Sequence, residues 1–227
     1  MSTEQSIGPR LRRARQARGL SLRSVAQELG VSASLISQVE TGKSKPSVAT
    51  LYAIASLLGI SLDDVLGLDS SPGERTRDAS ASQVPEIQRS TENPAIDMEN
   101  GVRWERLAGA SDGPAESLLV TYAPGASSSI DGRLMHHSGV EYAYVLEGVI
   151  TLQLETNIYE LGPGDSLQFD SSRPHKFYND QPVPARGVWF VVGRQSTGHL
   201  NHGIAMANER THAPMLALQR TDTLEQL

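Results

Sequence analysis

The residues with the clearest chemical meaning lie on the outer face of a short predicted helix near the N-terminus. Ile36 and Val39 share one side of this helix and can pack it against the preceding helix. The other side carries small and polar residues: Ala33, Ser34, Ser37, Gln38 and Lys43. A glutamine amide pairs with adenine N6 and N7, and serine hydroxyls reach base edges or phosphates. This face therefore suits the major groove of double-stranded DNA.

Five helices, placed by their caps and apolar spacing, must position this face. Pro9 lies in the opening turn of the first helix. Serines at N-cap positions begin the second to fifth helices, at Ser21, Ser32, Ser47 and Ser61. Glycines end the second to fourth helices, at Gly30, Gly42 and Gly59. The pattern predicts an all-α domain over residues 7–67, followed by a flexible linker over residues 68–85, where little can be buried.

The middle of the chain has the pattern of a β-protein. Short runs of strand-forming residues alternate with turn signals such as Gly162-Pro163-Gly164-Asp165. We predict strands at Ser117–Tyr122, Glu141–Leu146, Val149–Glu155, Ser166–Phe169, His175–Tyr178 and Gly187–Val192. Many short strands at close spacing predict an antiparallel sandwich or barrel over residues 86–194. Residues 195–227 have no clear pattern and form an extension of uncertain structure.

Composition and charge narrow the class of protein. Residues 1–66 hold eight basic and five acidic residues, a net charge of +3, whereas the rest holds twelve and 21, a net charge of −9. A basic head on an acidic body is typical of a polyanion-binding module joined to another domain. The chain has no cysteine, which excludes disulfides and a cysteine-based zinc site. It also has no long apolar run and no signal sequence, so we expect a cytoplasmic protein without a membrane partner.

The sequence of the second to fifth helices, LSLRSVAQELGVSASLISQVETGKSKPSVATLYAIASLLGISLDDVL, resembles the Cro/C1-type (XRE-family) helix-turn-helix domain over nearly its full length. The resemblance includes Ala26 at the helix crossing, Gly30 in the turn, and the packing residues Ile36 and Val39. It implies that the third helix enters the major groove. The candidate base-facing residues are Ser32, Ala33, Ser34, Ser37 and Gln38, and the candidate phosphate contacts are Arg23, Lys43 and Lys45. It also implies a structural role for Glu40, and a homodimer that reads two half-sites.

The β region resembles the cupin superfamily over residues 100–192, through MHHSGVEYAYVLEGVITLQL and LGPGDSLQFDSSRPHKFYN. His137, Glu141 and His175 match three of the four metal ligands of that family. Met135 stands where the remaining histidine is expected. Strand alternation sends His136 to the opposite face from His137, so His136 is not a simple replacement. The resemblance implies an all-β double-stranded β-helix barrel with a divalent-metal site reduced to two histidines and one carboxylate.

Two readings of this reduced site remain open. Two histidines and a carboxylate can hold Zn, Fe, Mn or Ni with positions left for an effector. Alternatively, the same residues line an effector pocket without metal. The candidate pocket residues are Met135, His137, Glu141, His175 and Phe177, with Phe169 and Trp189 as further candidate walls. Strand parity puts Tyr142 and Tyr144 outside the barrel, where they could serve a dimer interface.

Three functions fit the combination of domains. The leading hypothesis is a sequence-specific transcriptional regulator, not an enzyme, whose barrel senses a small-molecule effector. A second is a metal-dependent barrel enzyme, an oxygenase or isomerase, tethered to a DNA-binding head. A third is an antitoxin or architectural DNA binder without an effector. Conversion of a substrate distinguishes the second hypothesis from the first, and binding of metabolites distinguishes the first from the third.

Overall fold

The architecture comes from a computed structural model that describes residues 7–66, 87–108 and 115–193. Among these residues the five α-helices and one 3-10 turn at Ser90–Glu92 all precede the strands. The predicted fold class, an all-α head followed by an all-β domain, is confirmed. The predicted linker (68–85) and C-terminal extension (195–227) lie outside the described residues.

The described helical half contains α1 Gly8–Ala17, α2 Leu22–Leu29, α3 Ala33–Glu40, α4 Val48–Leu58 and α5 Leu62–Leu66. The predicted serine caps are confirmed, since the hydroxyls of Ser21, Ser32 and Ser47 each accept a hydrogen bond from the first turn of their helix. Ser61 and Asp64 cap each other's backbone N–H groups at 2.9 and 2.8 Å. These caps satisfy amide groups that a helix N-terminus leaves without partners. Local sequence therefore fixes where α2 to α5 begin.

One small core holds the helices of this half together. Val25 and Ala26 of α2 and Ile36 and Val39 of α3 are buried, as predicted for a helix-turn-helix pair. The crossing of α1 and α3 is so close that a Cβ at Gly8 would lie 2.5 Å from the carbonyl oxygen of Val39. Only glycine fits at this point.

A buried ion pair reinforces the crossing of α1 and α3. Arg15 donates to both carboxylate oxygens of Glu40, at 2.5 and 2.9 Å, and to the carbonyl of Leu20 at 2.7 Å. The predicted structural role of Glu40 is confirmed. A bidentate pair of this kind fixes the orientation of both side chains, and it holds α3 in place while leaving the opposite side of the helix free.

The described β half contains nine strands: β1 Ala95–Asp97, β2 Val102–Arg106, β3 Ala115–Tyr122, β4 Val140–Glu147, β5 Ile150–Leu154, β6 Asn157–Leu161, β7 Ser166–Asp170, β8 His175–Tyr178 and β9 Ala185–Val192. They form an antiparallel six-stranded sheet in the order β1-β2-β3-β9-β4-β7 and a three-stranded sheet in the order β6-β5-β8. Side chains of both sheets line one interior, and we call this half the barrel.

Strand alternation decides which residues enter the barrel. On β4, Glu141, Ala143 and Val145 are buried, whereas Tyr142 and Tyr144 are 43% and 49% exposed. The predicted parity of β4 is therefore confirmed. On β8, His175 and Phe177 are buried in the same way. Because the period of a strand is two residues, a shift of one residue in either strand would turn Glu141 or His175 out of the interior.

The helical half is docked against the barrel through polar and backbone contacts. Arg106 of β2 donates to both oxygens of Asp63 on α5, at 2.7 and 3.2 Å, and both side chains are almost fully buried. The N–H of Ala49 in α4 donates to the carbonyl of Ser128 at 3.0 Å. The N–H of Glu99 donates to the carbonyl of Pro46, also at 3.0 Å. The start of α4 therefore lies directly on the barrel.

Candidate functional site

Three buried polar side chains meet inside the barrel. Glu141 extends from β4, His175 is the first residue of β8, and His137 lies in the segment before β4. The Oε1 atom of Glu141 lies 2.7 Å from Nε2 of His137 and 3.2 Å from Nε2 of His175. The three candidate ligand atoms lie within 4.8 Å of one another, and within the described part of the chain this is the one such group. The structure therefore brings together the three residues predicted from the sequence.

Hydrogen bonds to backbone carbonyls determine which nitrogen of each histidine carries the proton. In a neutral imidazole, the other nitrogen carries the lone pair. Nδ1 of His137 lies 3.1 Å from the carbonyl of Ser138, and Nδ1 of His175 lies 2.8 Å from the carbonyl of Arg173. Since a carbonyl only accepts, each Nδ1 carries a proton and donates. In the neutral imidazole the lone pair is then on Nε2. This is the arrangement in which metal-binding histidines are oriented by a second hydrogen bond.

The protonation state of Glu141 determines whether the cluster needs a further positive charge. Burial raises the pKa of the Glu141 carboxyl, but its contacts with His137 and His175 outweigh burial and lower the pKa to about 2. The group is therefore a carboxylate, which only accepts. Both Nε2 atoms are buried and, despite the short distances, neither makes a hydrogen bond of acceptable geometry. Three acceptors facing one another require a positive charge between them, either a proton on an imidazole or a metal cation.

The donor set fits a divalent cation. Two imidazole nitrogens and one carboxylate oxygen suit Zn, Fe, Mn or Ni, and three protein ligands leave coordination positions open. His136 is exposed while His137 is buried, so the predicted exclusion of His136 from the cluster is confirmed. Met135 is buried and pairs with His175 through two backbone hydrogen bonds of 2.8 Å.

A small cavity of about 20 Å³ adjoins the cluster. Met135, Glu141 and Phe177, all predicted pocket residues, line it together with Trp189. Phe169 packs edge-on against His175 with ring centroids 4.8 Å apart. The cavity is also lined by residues that were not predicted from the sequence, which are Val48, Tyr52, Trp104, Leu118, Val120, Tyr122 and Val191.

The most unexpected of these residues come from the helical half. Val48 and Tyr52 lie one turn apart on α4, and both are buried. The ring of Tyr52 stacks on the imidazole of His137, with centroids 4.5 Å apart and planes 12° from parallel. The sequence carries one signal for this contact, because α4 is apolar around most of its circumference and such a helix is buried on more than one side.

The candidate DNA-binding face is formed by α3 and its flanks. Ser34 and Gln38 of α3 are exposed, as are Ser32, Arg23, Lys43 and Lys45. The hydroxyl of Ser32 is already used as the helix cap. Ala33 and Ser37 are only half-exposed, which differs from the prediction; Ala33 packs against the helical core. The exposed amide of Gln38 and hydroxyl of Ser34 therefore form the centre of this face.

The fold and the two sites define a class of protein, a helix-turn-helix DNA-binding regulator with a cupin barrel. The family model HTH_3, helix-turn-helix, matches residues 11–65, and the family model Cupin_2, cupin domain, matches residues 118–191. The chain belongs to the Cro/C1-type helix-turn-helix family of transcriptional regulators and carries a cupin domain.

Relatives share both sequence and fold with this chain. The HTH-type transcriptional regulator PuuR of Escherichia coli (strain K12) is 28% identical over 173 residues, which cover 76% of this chain and 86% of PuuR. The HTH-type transcriptional regulator DdrOP3 of Deinococcus deserti is 32% identical over 97 residues, 43% of this chain and 73% of DdrOP3. A crystal structure of an HTH_3 family transcriptional regulator from Vibrio cholerae shares the fold at a TM-score of 0.57 and 24% identity, over 83% of this chain and 96% of that one. Among the described residues, no helix has the length and apolar character needed to span a bilayer.

Proposed function

We propose that this transcriptional regulator is ligand-responsive and that its barrel binds a small-molecule effector at a divalent cation. The observation that carries the proposal is the buried cluster of Glu141, His137 and His175, in which both histidine Nε2 atoms face one carboxylate oxygen and make no hydrogen bond of acceptable geometry. Such an arrangement is costly in a core that serves packing alone, because unpaired polar atoms are buried without compensation. It is what a cation-binding site requires.

In this proposal His137, Glu141 and His175 hold the cation, which is Zn, Fe, Mn or Ni. When bound, the cation supplies open coordination positions to a lone pair of the effector. Other residues of the chain orient the ligands and line the site. Ser138 and Arg173 orient the two imidazoles through their backbone carbonyls, and the side chains of Phe177 and Trp189 line the space beside the cluster.

DNA is read by α3. Gln38 and Ser34 face base edges in the major groove, with Ser32, Ala33 and Ser37 at its margins. Arg23, Lys43 and Lys45 contact phosphates and fix the register of the head on the duplex. Lys45 is also 3.9 Å from Asp97 of the barrel, so its phosphate contact depends on how the two halves are arranged. The site of action is the cytoplasm, where chromosomal DNA is bound.

The regulator works as a homodimer that reads two half-sites about one helical turn apart. The outer face of β4 and β9 is the proposed contact between subunits. Tyr142, Tyr144 and Phe190 are each more than 40% exposed and lie on neighbouring strands of that face. Large exposed aromatic residues grouped in this way mark protein interfaces more often than free surface.

The barrel binds and does not catalyse in this proposal. The alternative is a metal-dependent oxygenase or isomerase attached to a DNA-binding head. It is supported by the same three-ligand set, since open positions on a cation also permit catalysis. Steady conversion of a candidate substrate by the metal-loaded protein, with turnover lost in Glu141→Gln, would favour the enzyme.

Metal analysis tests the proposed function directly. We expect about one equivalent of Zn, Fe, Mn or Ni per chain in protein purified without chelators, measured by plasma mass spectrometry. His175→Ala should lower this content severalfold, whereas His136→Ala should leave it unchanged because His136 is exposed. A metal-free protein that takes up none of the four ions at micromolar concentration contradicts the cation site. A metabolite library that then gives no thermal shift contradicts effector sensing.

A further inference from the structure

One helix of the DNA-binding domain closes the interior of the barrel. Tyr52 of α4 stacks on His137 of the candidate metal centre and meets Trp104 edge-on, with centroids 5.2 Å apart. Its side chain is only 6% exposed, and Val48 one turn earlier is 2% exposed. Tyr52 and Val48, which we call the roof of the barrel site, therefore belong to the helical half and not to the barrel.

The space that remains beneath this roof is too small for an organic ligand. The cavity of about 20 Å³ exceeds the roughly 10–15 Å³ that one water molecule needs. Pockets for organic ligands have volumes of about 300–1,000 Å³. A single ion or water fits with the two halves docked as described, but a ring or chain of several atoms does not.

Among the walls of the cavity, the roof is the one that can move. The other walls lie mainly on β2, β3, β4, β8 and β9, whose strands are joined by continuous hydrogen-bond ladders. The start of α4 is joined to the barrel by two backbone hydrogen bonds, Ala49 to Ser128 and Glu99 to Pro46. The Arg106–Asp63 pair adds a further anchor at α5, and Lys45 lies 3.9 Å from Asp97 of β1. Breaking these contacts opens the cavity without breaking either sheet.

We propose that Tyr52 and Val48 occupy the space that the organic effector takes, so that effector binding and docking of the DNA-binding domain exclude each other. The inference rests on the proposed effector site of the barrel. The effector then has a lone-pair donor that faces the His137, Glu141 and His175 cluster. It also has an apolar body the size of a phenol ring, which replaces Tyr52 against His137 and Trp104. Since binding and docking compete for one volume, each weakens the other by the same factor.

The competition can be tested without knowing the effector, by filling the cavity from the barrel side. Met135 lines the cavity, and Met135→Trp adds a large side chain to it. The chain has no cysteine, so Gln16→Cys and Glu160→Cys, at exposed positions on α1 and β6, can carry two nitroxide labels. We expect one narrow label-to-label distance in the metal-free parent and a longer, broader distribution in Met135→Trp. Adding Tyr52→Ala to Met135→Trp should restore the narrow distance.

Leu154→Trp is the matched control, because Leu154 is buried in the same barrel but does not line the cavity. It should lower the melting temperature and leave the label distance unchanged. A parent-like distance in Met135→Trp overturns the proposal. So does a longer distance that Tyr52→Ala does not reverse, since the cause is then distortion of the barrel and not a conflict over volume.

A second measurement covers the case in which Met135→Trp does not fold. The probe is p-cresol, which has the shape of the tyrosine side chain. Tyr52→Ala should bind it with a saturable thermal shift and keep the parent label distance. Saturating p-cresol should lengthen the distance in the parent itself. Absence of binding to Tyr52→Ala refutes the proposal. All arms use metal-free protein, so they are independent of the metal analysis that tests the proposed function.

Discussion

At the scale of single residues, Gln38 carries the strongest expectation about DNA. Its side chain is exposed on α3, on the side opposite the buried Ile36 and Val39. Replacing it with alanine removes the amide that is proposed to pair with a base edge. Gln38→Ala should cost roughly 1–3 kcal/mol of binding to the specific operator and spare non-specific binding. Fluorescence anisotropy with operator and scrambled duplexes measures both affinities.

The control is Gln27→Ala, because Gln27 is an exposed glutamine on α2. Its effect should be small on both duplexes. An equal loss on operator and scrambled DNA for Gln38→Ala would refute the assignment of Gln38 as a base-reading residue.

Arg23 has a different expected signature because phosphate contacts carry no sequence information. It is exposed near the start of α2. Arg23→Ala should weaken binding to every duplex and reduce the slope of log affinity against log salt by about 1. Lys176→Ala, which removes one positive charge from β8 of the barrel, should leave the slope unchanged. Titrations over a range of salt concentrations measure the slopes, and an unchanged slope in Arg23→Ala excludes a phosphate contact.

At the scale of secondary-structure elements, the Arg106–Asp63 pair joins β2 to α5. Arg106 also donates to the hydroxyl of Ser117 at 2.6 Å, and its side chain is 2% exposed. Removing one partner leaves a buried charge unpaired. Arg106→Ala should therefore destabilise the docked protein by up to about 3–5 kcal/mol, and less if undocking returns Asp63 to water. Urea titration followed by tryptophan fluorescence measures the change.

The matched control is Arg103→Ala on the same strand. Arg103 pairs with Asp97 at 2.8 Å, but both side chains are at least 40% exposed. An exposed pair contributes about 0–1 kcal/mol. If the two variants are destabilised equally, the buried pair does not anchor the helical half on the barrel.

The same helices and strands show which features of the structure could be predicted from the sequence and which could not. Helix boundaries were predictable because Ser21, Ser32 and Ser47 act locally, each capping a helix within three residues. The cluster of His137, Glu141 and His175 was predictable because the three residues match the ligand pattern of the cupin family, and alternation on β4 places Glu141 on the buried face. The apolar circumference of α4 indicates burial on more than one side, but the partner of Tyr52 was not predictable, since its contact with His137 joins residues 85 positions apart. Strands β1 and β6 were missed for other reasons, because β1 has only three residues and β6 is exposed along most of its length and shows no alternation of burial.

At the scale of the whole molecule, the proposed dimer depends on the exposed face of β4 and β9. A charge placed there should separate the subunits, because a buried unpaired carboxylate is costly. Tyr144→Glu should convert the protein to a monomer in light scattering after size-exclusion chromatography. It should also weaken binding to a two-half-site operator while leaving single half-site binding unchanged, because the second head no longer benefits from high effective concentration.

Ile158→Glu is the matched control. Ile158 is 62% exposed on β6, which belongs to the other sheet. This variant should stay dimeric. A dimer that survives Tyr144→Glu and is lost in Ile158→Glu places the interface on the three-stranded sheet instead.

The position of α4 between two cores has a consequence for evolution and for engineering. Leu51 and Ile54 of this helix are buried together with the rest of the helical core, while Tyr52 fills the mouth of the barrel. Under the proposed competition for this volume, a change of effector preference in the barrel must be matched at position 52 of the head. Chimeras that join this head to the barrel of a distant relative should assemble poorly until that position is re-optimised, so we expect that the two modules cannot be exchanged freely.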